Sequence, residues 1–500
     1  MNATEPRSEP IALDRLSLDS FAGRPVAVLG LARSGVALAR FLADRGAQVT
    51  VYDTQPADAL ADRLAQLEGR PVRALLGPDV DPATALAGQA LVCTSPSVSS
   101  HYPTTEPRLR AALGALEAAG RVPVVSEIDL FLRLCPGTTV GVTGTKGKTT
   151  TAALAAAVLG GGPAPVLLGG NIGTPLVERL PELTPAHRVV LELSELQLPT
   201  LSRGTDVAVY THVSSDHLDR HGSLEAYRRV KRRLAELVPV DGRIVLNAED
   251  PVSAAFATAG QAWPLYYSRR QVPASGVGVR DGWIVADDVA HLSGGRAMAG
   301  PEGRLMPLDE VRLPGAHNTS NVLAAVAVGL LFGVAADAIR RAVGDFAGVE
   351  HRLETVAVAD GVRYVNDSMG TQPDAVIAAL RAFAPPVVLI CGGRSKDLAL
   401  DELAAVVAER AAAVVLIGES AVEMERLFAA AGAPHIERAA SLEWAVERAS
   451  ALARELRPAS GAEATVLLSP AAASFDMFVD YAARGRAFRD AVRAIAEGGA

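Results

Sequence analysis

No stretch of this chain approaches the roughly 18 to 20 consecutive apolar residues that a membrane-crossing helix needs. Its opening residues, MNATEPRSEP, lack the basic segment leading into an apolar one that marks an export signal. A cytoplasmic protein with no membrane insertion is expected. Cysteine is scarce: Cys93, Cys135 and Cys391 are odd in number and far apart, which suits neither a disulfide framework nor a zinc spacing. Small buried thiols are expected instead. Positive charge is not in excess either, and a formal net charge of −8 argues against a general nucleic-acid binder. Small anionic substrates would then need dedicated local pockets. There is no repeat of fixed period and no low-complexity tail.

What is present is a chain of 500 residues, nearly half of them apolar, in short runs broken by Gly or Pro. That length exceeds one compact core and predicts several α/β domains. Val26-Ala27-Val28-Leu29-Gly30 reads as a buried strand, Ser34 to Arg45 as a helix, and Gln48 to Tyr52 as a strand ending at Asp53. With further strands at Ala90 to Cys93 and Val122 to Val125, residues 1–125 form a Rossmann-like domain. The pattern restarts at Thr138 to Val142 and predicts a central domain with a parallel sheet over 126–348, including a long helix from Asn321 to Phe332. A second Rossmann-like domain is expected over 349–500.

The strongest local signal is strand, then Gly144-Thr145-Lys146-Gly147-Lys148-Thr149-Thr150, then an Ala-rich helix. A polyphosphate calls for this arrangement: glycines let backbone N–H groups approach its oxygens, a helix start adds positive potential, and a lysine neutralises charge. Thr149 can offer its hydroxyl to Mg²⁺. The usual spacing would place a Gly at position 142, where this chain has Val142, so the loop is a shortened variant.

The loop resembles the ATP loop of the Mur ligases, and further similar segments follow in the family's order. They are Asn171-Ile172-Gly173, Glu192-Leu193-Ser194, Ser215-Asp216-His217-Leu218-Asp219, Tyr227 to Lys231, His317 to Asn321, His351-Arg352, Asn366-Asp367-Ser368 and Leu468-Ser469-Pro470. The matches run from about residue 26 to 488. The resemblance implies an ATP-dependent amide-bond ligase that activates a carboxylate as an acyl phosphate. It implies ATP held by Gly144 to Thr150, Asn318, Asn321, Arg352 and Asp367. It also implies Mg²⁺ held by Thr149, Glu192, His217 and Lys231, the lysine carbamoylated by CO₂, with Lys148, Lys231, His217 and Arg352 in catalytic roles. Read alone, Lys231 sits in a solvated basic helix, and Asn318 and Asn321 would be helix caps.

In the first domain Gly30-Leu31-Ala32-Arg33-Ser34-Gly35 could hold a diphosphate, and Asp53 ends the next strand where a nucleotide edge could be met. Ala32 replaces the middle Gly of a dinucleotide fingerprint, which weighs against the rival reading, a NAD-dependent dehydrogenase. By resemblance, Arg33, Ser34, Asp53 and Asn171 line a UDP pocket. The third domain resembles that of the branch adding D-glutamate to UDP-N-acetylmuramoyl-L-alanine, with Thr371, Lys396, Ser474 and Tyr481 on the glutamate. Three departures stand out. Met369 follows Asn366-Asp367-Ser368 where the family has Lys, which keeps an L-glutamate-adding ligase as an alternative. Glu195-Leu196 replaces Ser-Phe or Ser-Tyr, and Thr94-Ser95-Pro96-Ser97 stands where Ser-Pro-Gly is common. A monomer that closes its domains around small-molecule substrates is expected.

Overall fold

The computed structural model describes residues 9–172, 175–214, 221–294, 300–313, 315–395 and 400–498. Among them three sheets form, each mostly parallel and buried on both faces, as βαβ connections dictate. The first contains β1 (Pro25–Leu29), β2 (Gln48–Asp53), β3 (Val72–Leu76), β4 (Leu91–Thr94) and β5 (Val124–Ser126), in the order β3-β2-β1-β4-β5, all parallel. The helix Arg33–Asp44 follows β1 and starts one residue earlier than the sequence pattern suggests; Val36, Leu38, Phe41 and Leu42 face the core.

The second sheet holds β6 (Thr138–Thr143), β7 (Val166–Gly170), β8 (Arg188–Glu192), β9 (Val207–Tyr210), β10 (Arg243–Asn247), β11 (Trp263–Ser268), β12 (Val277–Arg280), β13 (Trp283–Ala286) and β14 (Arg304–Pro307). Their order is β14-β13-β12-β11-β10-β9-β6-β8-β7. Only the β12-β13 and β13-β14 pairs are antiparallel. The chain thus leaves β6 toward β7 and β8 on one side and returns to β9 on the other. That makes the end of β6 a switch point, where open α/β sheets leave a crevice.

Alternation along β8 sends Val190 to one face and Val189 and Leu191 to the other. The Val190 face packs against the helices Lys148–Gly160 and Ala316–Leu331. The latter is longer than the pattern predicted and is buried at every position from Asn321 to Leu331, so it has no polar face. The opposite face shares one apolar cluster with the first sheet, through Val26, Val28, Phe21 and the helix Glu127–Leu134.

A first compact unit runs to Phe346 and a second starts at Ala347. The second has β15 (Glu354–Ala359), β16 (Val362–Asn366), β17 (Val387–Gly392), β18 (Ala413–Ile417), β19 (Ile436–Arg438) and β20 (Ala464–Leu468). The order is β15-β16-β20-β17-β18-β19, with only β15 antiparallel to its neighbour. Cys93 and Cys391 are buried thiols as expected, whereas Cys135 is only partly buried. No helix among the described residues is long and apolar enough to cross a membrane.

Candidate active site

The central loop leaves β6 between the ends of β8 and β9, with Val142 level with Glu192 and Thr143 level with Tyr210. Gly144 has φ 147°, and a Cβ there would fall 2.0 Å from Thr211 Oγ1. Gly147, at φ 88°, caps the helix Lys148–Gly160 and would meet Asn321 Oδ1 at 2.5 Å. Both positions therefore require glycine, for conformation and for space. Thr211 Oγ1 donates to the Lys146 carbonyl at 2.6 Å, and the Thr145 N–H donates to the His212 carbonyl at 2.6 Å. Lys148 Nζ donates to the Thr145 carbonyl at 2.9 Å, so the ammonium lies over its own loop. Lys146 is exposed, Thr150 half-buried and Thr149 buried at the helix start.

Thr145, Asn318 and Asn321 are tied into the protein by internal hydrogen bonds. The Thr145 hydroxyl is 2.8 Å from the Tyr227 hydroxyl and accepts the Ser214 N–H at 3.0 Å. Asn321 accepts from Thr151 Oγ1 at 3.2 Å and donates to Asn318 Oδ1 at 3.0 Å. It thereby buttresses the phosphate-loop helix from the neighbouring one. Neither Tyr227 nor Thr211 was singled out in this role from the sequence, because a Tyr inside a basic helix and a Thr after a strand carry no local signal.

Glu192 is 3% exposed. Its Oε1 accepts Asn171 Nδ2 at 3.1 Å, while Oε2 is buried with no hydrogen-bond partner among the described residues. An unsatisfied buried carboxylate oxygen is costly and fits a hard cation. Asn171, expected in the UDP pocket, sits beside this carboxylate, and its N–H also bonds the Glu192 carbonyl at 2.8 Å. Lys231 is fully buried, with Nζ 3.5 Å from Thr143 Oγ1 and 5.4 Å from the centre of the Tyr227 ring. This corrects the solvated reading for Lys231, while Arg229 and Arg232 of the same helix are exposed. His217 lies outside the described residues, as does Gly173. Among the described residues no group of three or more His, Cys, Asp and Glu forms a cation cluster.

In the first sheet Gly30, at φ 86°, would place a Cβ 2.4 Å from Ser95 Oγ, so the loops after β1 and β4 touch. Asp53 Oδ2 accepts the Leu31 N–H at 2.7 Å and Oδ1 accepts the Gln55 N–H at 2.9 Å. Asp53 thus latches the loop that carries Arg33 and Ser34. Arg33 is exposed and Ser34 half-buried, and no side chain caps the helix they open. Its first amides are therefore not covered by a capping side chain among the described residues, as an anion site would need.

In the second unit, three loops leave the carboxyl ends of β16, β20 and β17. Asp367 Oδ2 accepts Ser469 Oγ at 2.6 Å and Oδ1 accepts the Leu353 N–H at 3.2 Å. Burial pushes the Asp367 carboxyl up to about 6, against the Ser469 hydroxyl and the Arg352 charge, which lower it. His351 and Leu353 both have positive φ, at 63° and 45°, and present Arg352, which is exposed, between them. Arg484, unflagged in the sequence, is 1% exposed and ties the loops together. Its guanidinium donates to Ser368 Oγ and to the Ser368 carbonyl at 3.0 Å each, and to the Ala472 and Ala473 carbonyls at 3.3 Å. Ser474 is buried, while Thr371, Met369 and Tyr481 are half-buried around the same loops; the Tyr481 carbonyl accepts Ser368 Oγ at 2.7 Å. Lys396 lies outside the described residues.

A glycine loop with its lysine, set at the switch point of a parallel sheet beside a buried carboxylate with an unpartnered oxygen, defines a phosphate-loop α/β protein with two further Rossmann-like sheets. Comparison narrows the class. Residues 142–329 match the Mur ligase middle domain, 351–472 the Mur ligase glutamate ligase domain, and 24–115 the Mur ligase MurD-like N-terminal domain. The chain is 39% identical over 472 residues to the UDP-N-acetylmuramoylalanine--D-glutamate ligase of Symbiobacterium thermophilum, covering 94% of this chain and 98% of that one. It is 37% identical over 482 residues to the ligase of the same name from Pelotomaculum thermopropionicum, covering 96% and 100%. Among solved structures, MurF from Acinetobacter baumannii aligns with TM-score 0.52 at 17% identity, covering 94% of this chain and 91% of that one. UDP-N-acetylmuramate-alanine ligase MurC from Thermotoga maritima aligns with TM-score 0.50 at 17% identity, covering 94% and 100%. The chain belongs to the Mur ligase family and has its three-domain α/β fold. Members of the family are ATP-dependent ligases that form amide bonds, and this chain is such a ligase; the family typically requires Mg²⁺.

Proposed function

We propose that this chain joins D-glutamate to UDP-N-acetylmuramoyl-L-alanine at the expense of ATP, in the making of a peptidoglycan precursor in the cytoplasm, and that it acts as a monomer. The observation that carries the chemistry is the pairing of the Lys148 loop with the unpartnered Glu192 oxygen at one mouth of the central sheet. The names of full-length relatives support the choice of substrates. The working division is 1–125 for the UDP substrate, 126–348 for ATP and 349–500 for the amino acid.

A carboxylate is a poor acyl donor because its leaving group would be oxide. In the proposed first step the L-alanyl carboxylate oxygen attacks the γ-phosphorus, an O–P bond forms, and the bond to ADP breaks. Lys148 and the loop amides draw off the charge that builds on the phosphoryl oxygens, so catalysis is mainly positioning and electrostatics. The glutamate amine then attacks the acyl carbon, phosphate leaves with its oxygen, and the nitrogen loses a proton. Arg33, Ser34 and the amides of their helix hold the diphosphate, with Asp53 fixing their loop. Asn318 and Asn321 flank the nucleotide, Asn321 chiefly by supporting the loop helix. Arg352 and Asp367 serve the nucleotide from the second unit, while Thr371, Lys396, Ser474 and Tyr481 hold the amino acid.

The Mg²⁺ the family typically requires fits Glu192 Oε2, with Thr149, His217 and Lys231 as further ligands; bound there it would neutralise phosphate charge. A fully buried lysine is expensive to keep as an ammonium, which supports carbamoylation of Lys231. The test is ADP release from ATP, Mg²⁺ and UDP-N-acetylmuramoyl-L-alanine with D-glutamate or L-glutamate in separate reactions. Release with D-glutamate alone is expected. Release with L-glutamate alone would install the L-glutamate-adding reading that Met369 keeps open, and release with neither would overturn both.

A further inference from the structure

A dicarboxylic amino acid needs cations where it binds, and the loops at the carboxyl edge of this sheet offer few among the described residues. Among the described residues of the three loops that leave β16, β20 and β17, spanning 367–372, 469–480 and 393–395, Arg394 is the one basic side chain. On one wall stand Asp367 and the neutral Met369; on the other stands Arg394. The loop after β20 runs between them. It bonds the first wall through Ser469 to Asp367 and through the Ala471 N–H to the Gly370 carbonyl at 2.9 Å. It bonds the second wall by a reciprocal pair, the Arg394 N–H to the Ala473 carbonyl at 2.9 Å and the Ala473 N–H to the Arg394 carbonyl at 3.1 Å.

That pair makes Arg394 a fixed stem. Gly393 before it, at φ 141°, admits no Cβ, which would fall 2.3 Å from the Ala473 carbonyl oxygen, and its own carbonyl accepts the Ser420 N–H at 2.8 Å. The Arg394 side chain is exposed and has no hydrogen bond or ion pair among the described residues. Asp476, an acid close to this wall, accepts the Glu419 N–H at 3.0 Å. Arg484 cannot substitute, because its guanidinium is wholly occupied by Ser368, Ala472 and Ala473. A guanidinium carried on a fixed backbone, with no anion bonded to it among the described residues, is available to an external carboxylate, which it can grip through two parallel N–H groups.

We propose that Arg394 binds a carboxylate of the incoming amino acid, supplying from the β17 wall a positive charge that the Met369 wall lacks. The proposal rests on the function proposed above. It is tested by steady-state kinetics of the full chain, wild type and Arg394→Ala, varying glutamate, ATP and the muramoyl nucleotide in turn. The substitution is expected to raise KM for glutamate about tenfold or more while kcat and the other two KM values hold. Arg394→Lys, and Met369→Lys in the Arg394→Ala background, should each recover part of the loss by restoring a charge on one wall or the other. An unchanged KM for glutamate, a common rise in all three KM values, or recovery by neither lysine would overturn the proposal. A wild type that releases no ADP with either glutamate would instead remove the functional reading beneath it.

Discussion

The loops after β1 and β6 are built alike, each a strand, a glycine turn and a helix start at a point where the chain reverses direction across its sheet, yet they are equipped for different work. After β6 the loop carries Lys148 and Thr149 and sits beside Glu192, one of whose oxygens lacks a partner. After β1 the acid at the corresponding strand end, Asp53, has both oxygens on backbone N–H groups, and the cation is the exposed Arg33. On the proposed function the first arrangement polarises a phosphate and the second only holds one. The two loops share a geometry, and what the neighbouring carboxylate is bonded to separates a reacting site from a gripping one.

The most severe way to break this contrast is Lys148→Ala, which should lower ADP release by about 10³-fold or more with the fold intact; activity near wild type would end the assignment of the β6 loop. Gly144→Ala comes next. Its Cβ would collide with Thr211 Oγ1, and displacing the loop by about an ångström should cost about 10²-fold in kcat/KM for ATP, with thermal unfolding little changed.

Asp53→Asn sharpens the contrast from the other side. Removing one charged acceptor from the β1 latch should raise KM for the muramoyl nucleotide about tenfold, leaving KM for ATP and kcat in place. A fall in kcat instead would show that the first loop takes part in the reaction. An effect read on stability and not on turnover is expected at Asp367, a latch in the second unit with its carboxyl raised to about 6. The folded state holds this proton more tightly than the unfolded chain, so the Asp367 contribution to stability is full below about pH 4 and is lost as pH rises to about 6. Hydrogen-exchange protection of the β16 and β20 amides should decline across that window by about 3 kcal/mol at most, and Asp367→Asn should flatten that decline.

Much of this was legible along the chain. The spacing of apolar runs gave three α/β sheets, and Gly144 to Thr150 announced a phosphate loop because every group it needs is adjacent in sequence. The β12–β14 extension of the central sheet and the full length of the helix Ala316–Leu331 were less clear, since short strands and an all-round apolar helix lack a period. Side-chain duties were hardest to read where partners are remote. Asn321 meets Thr151, Thr145 meets Tyr227, and Arg484 meets Ser368, across 170, 82 and 116 residues. No local pattern reports such pairings, so Lys231 looked solvated and Arg484 went unremarked.

The apolar cluster that spans the first sheet and one face of the second has a bearing on inheritance of function. Because Phe21 and Val28 belong to the same core as Leu191 and Tyr210, trimming a remote methyl beside the first sheet would loosen the second as well. The two must drift together under mutation, whereas the piece beyond Phe346 has its own cores and, on the proposed division of labour, is free to change which amino acid it admits.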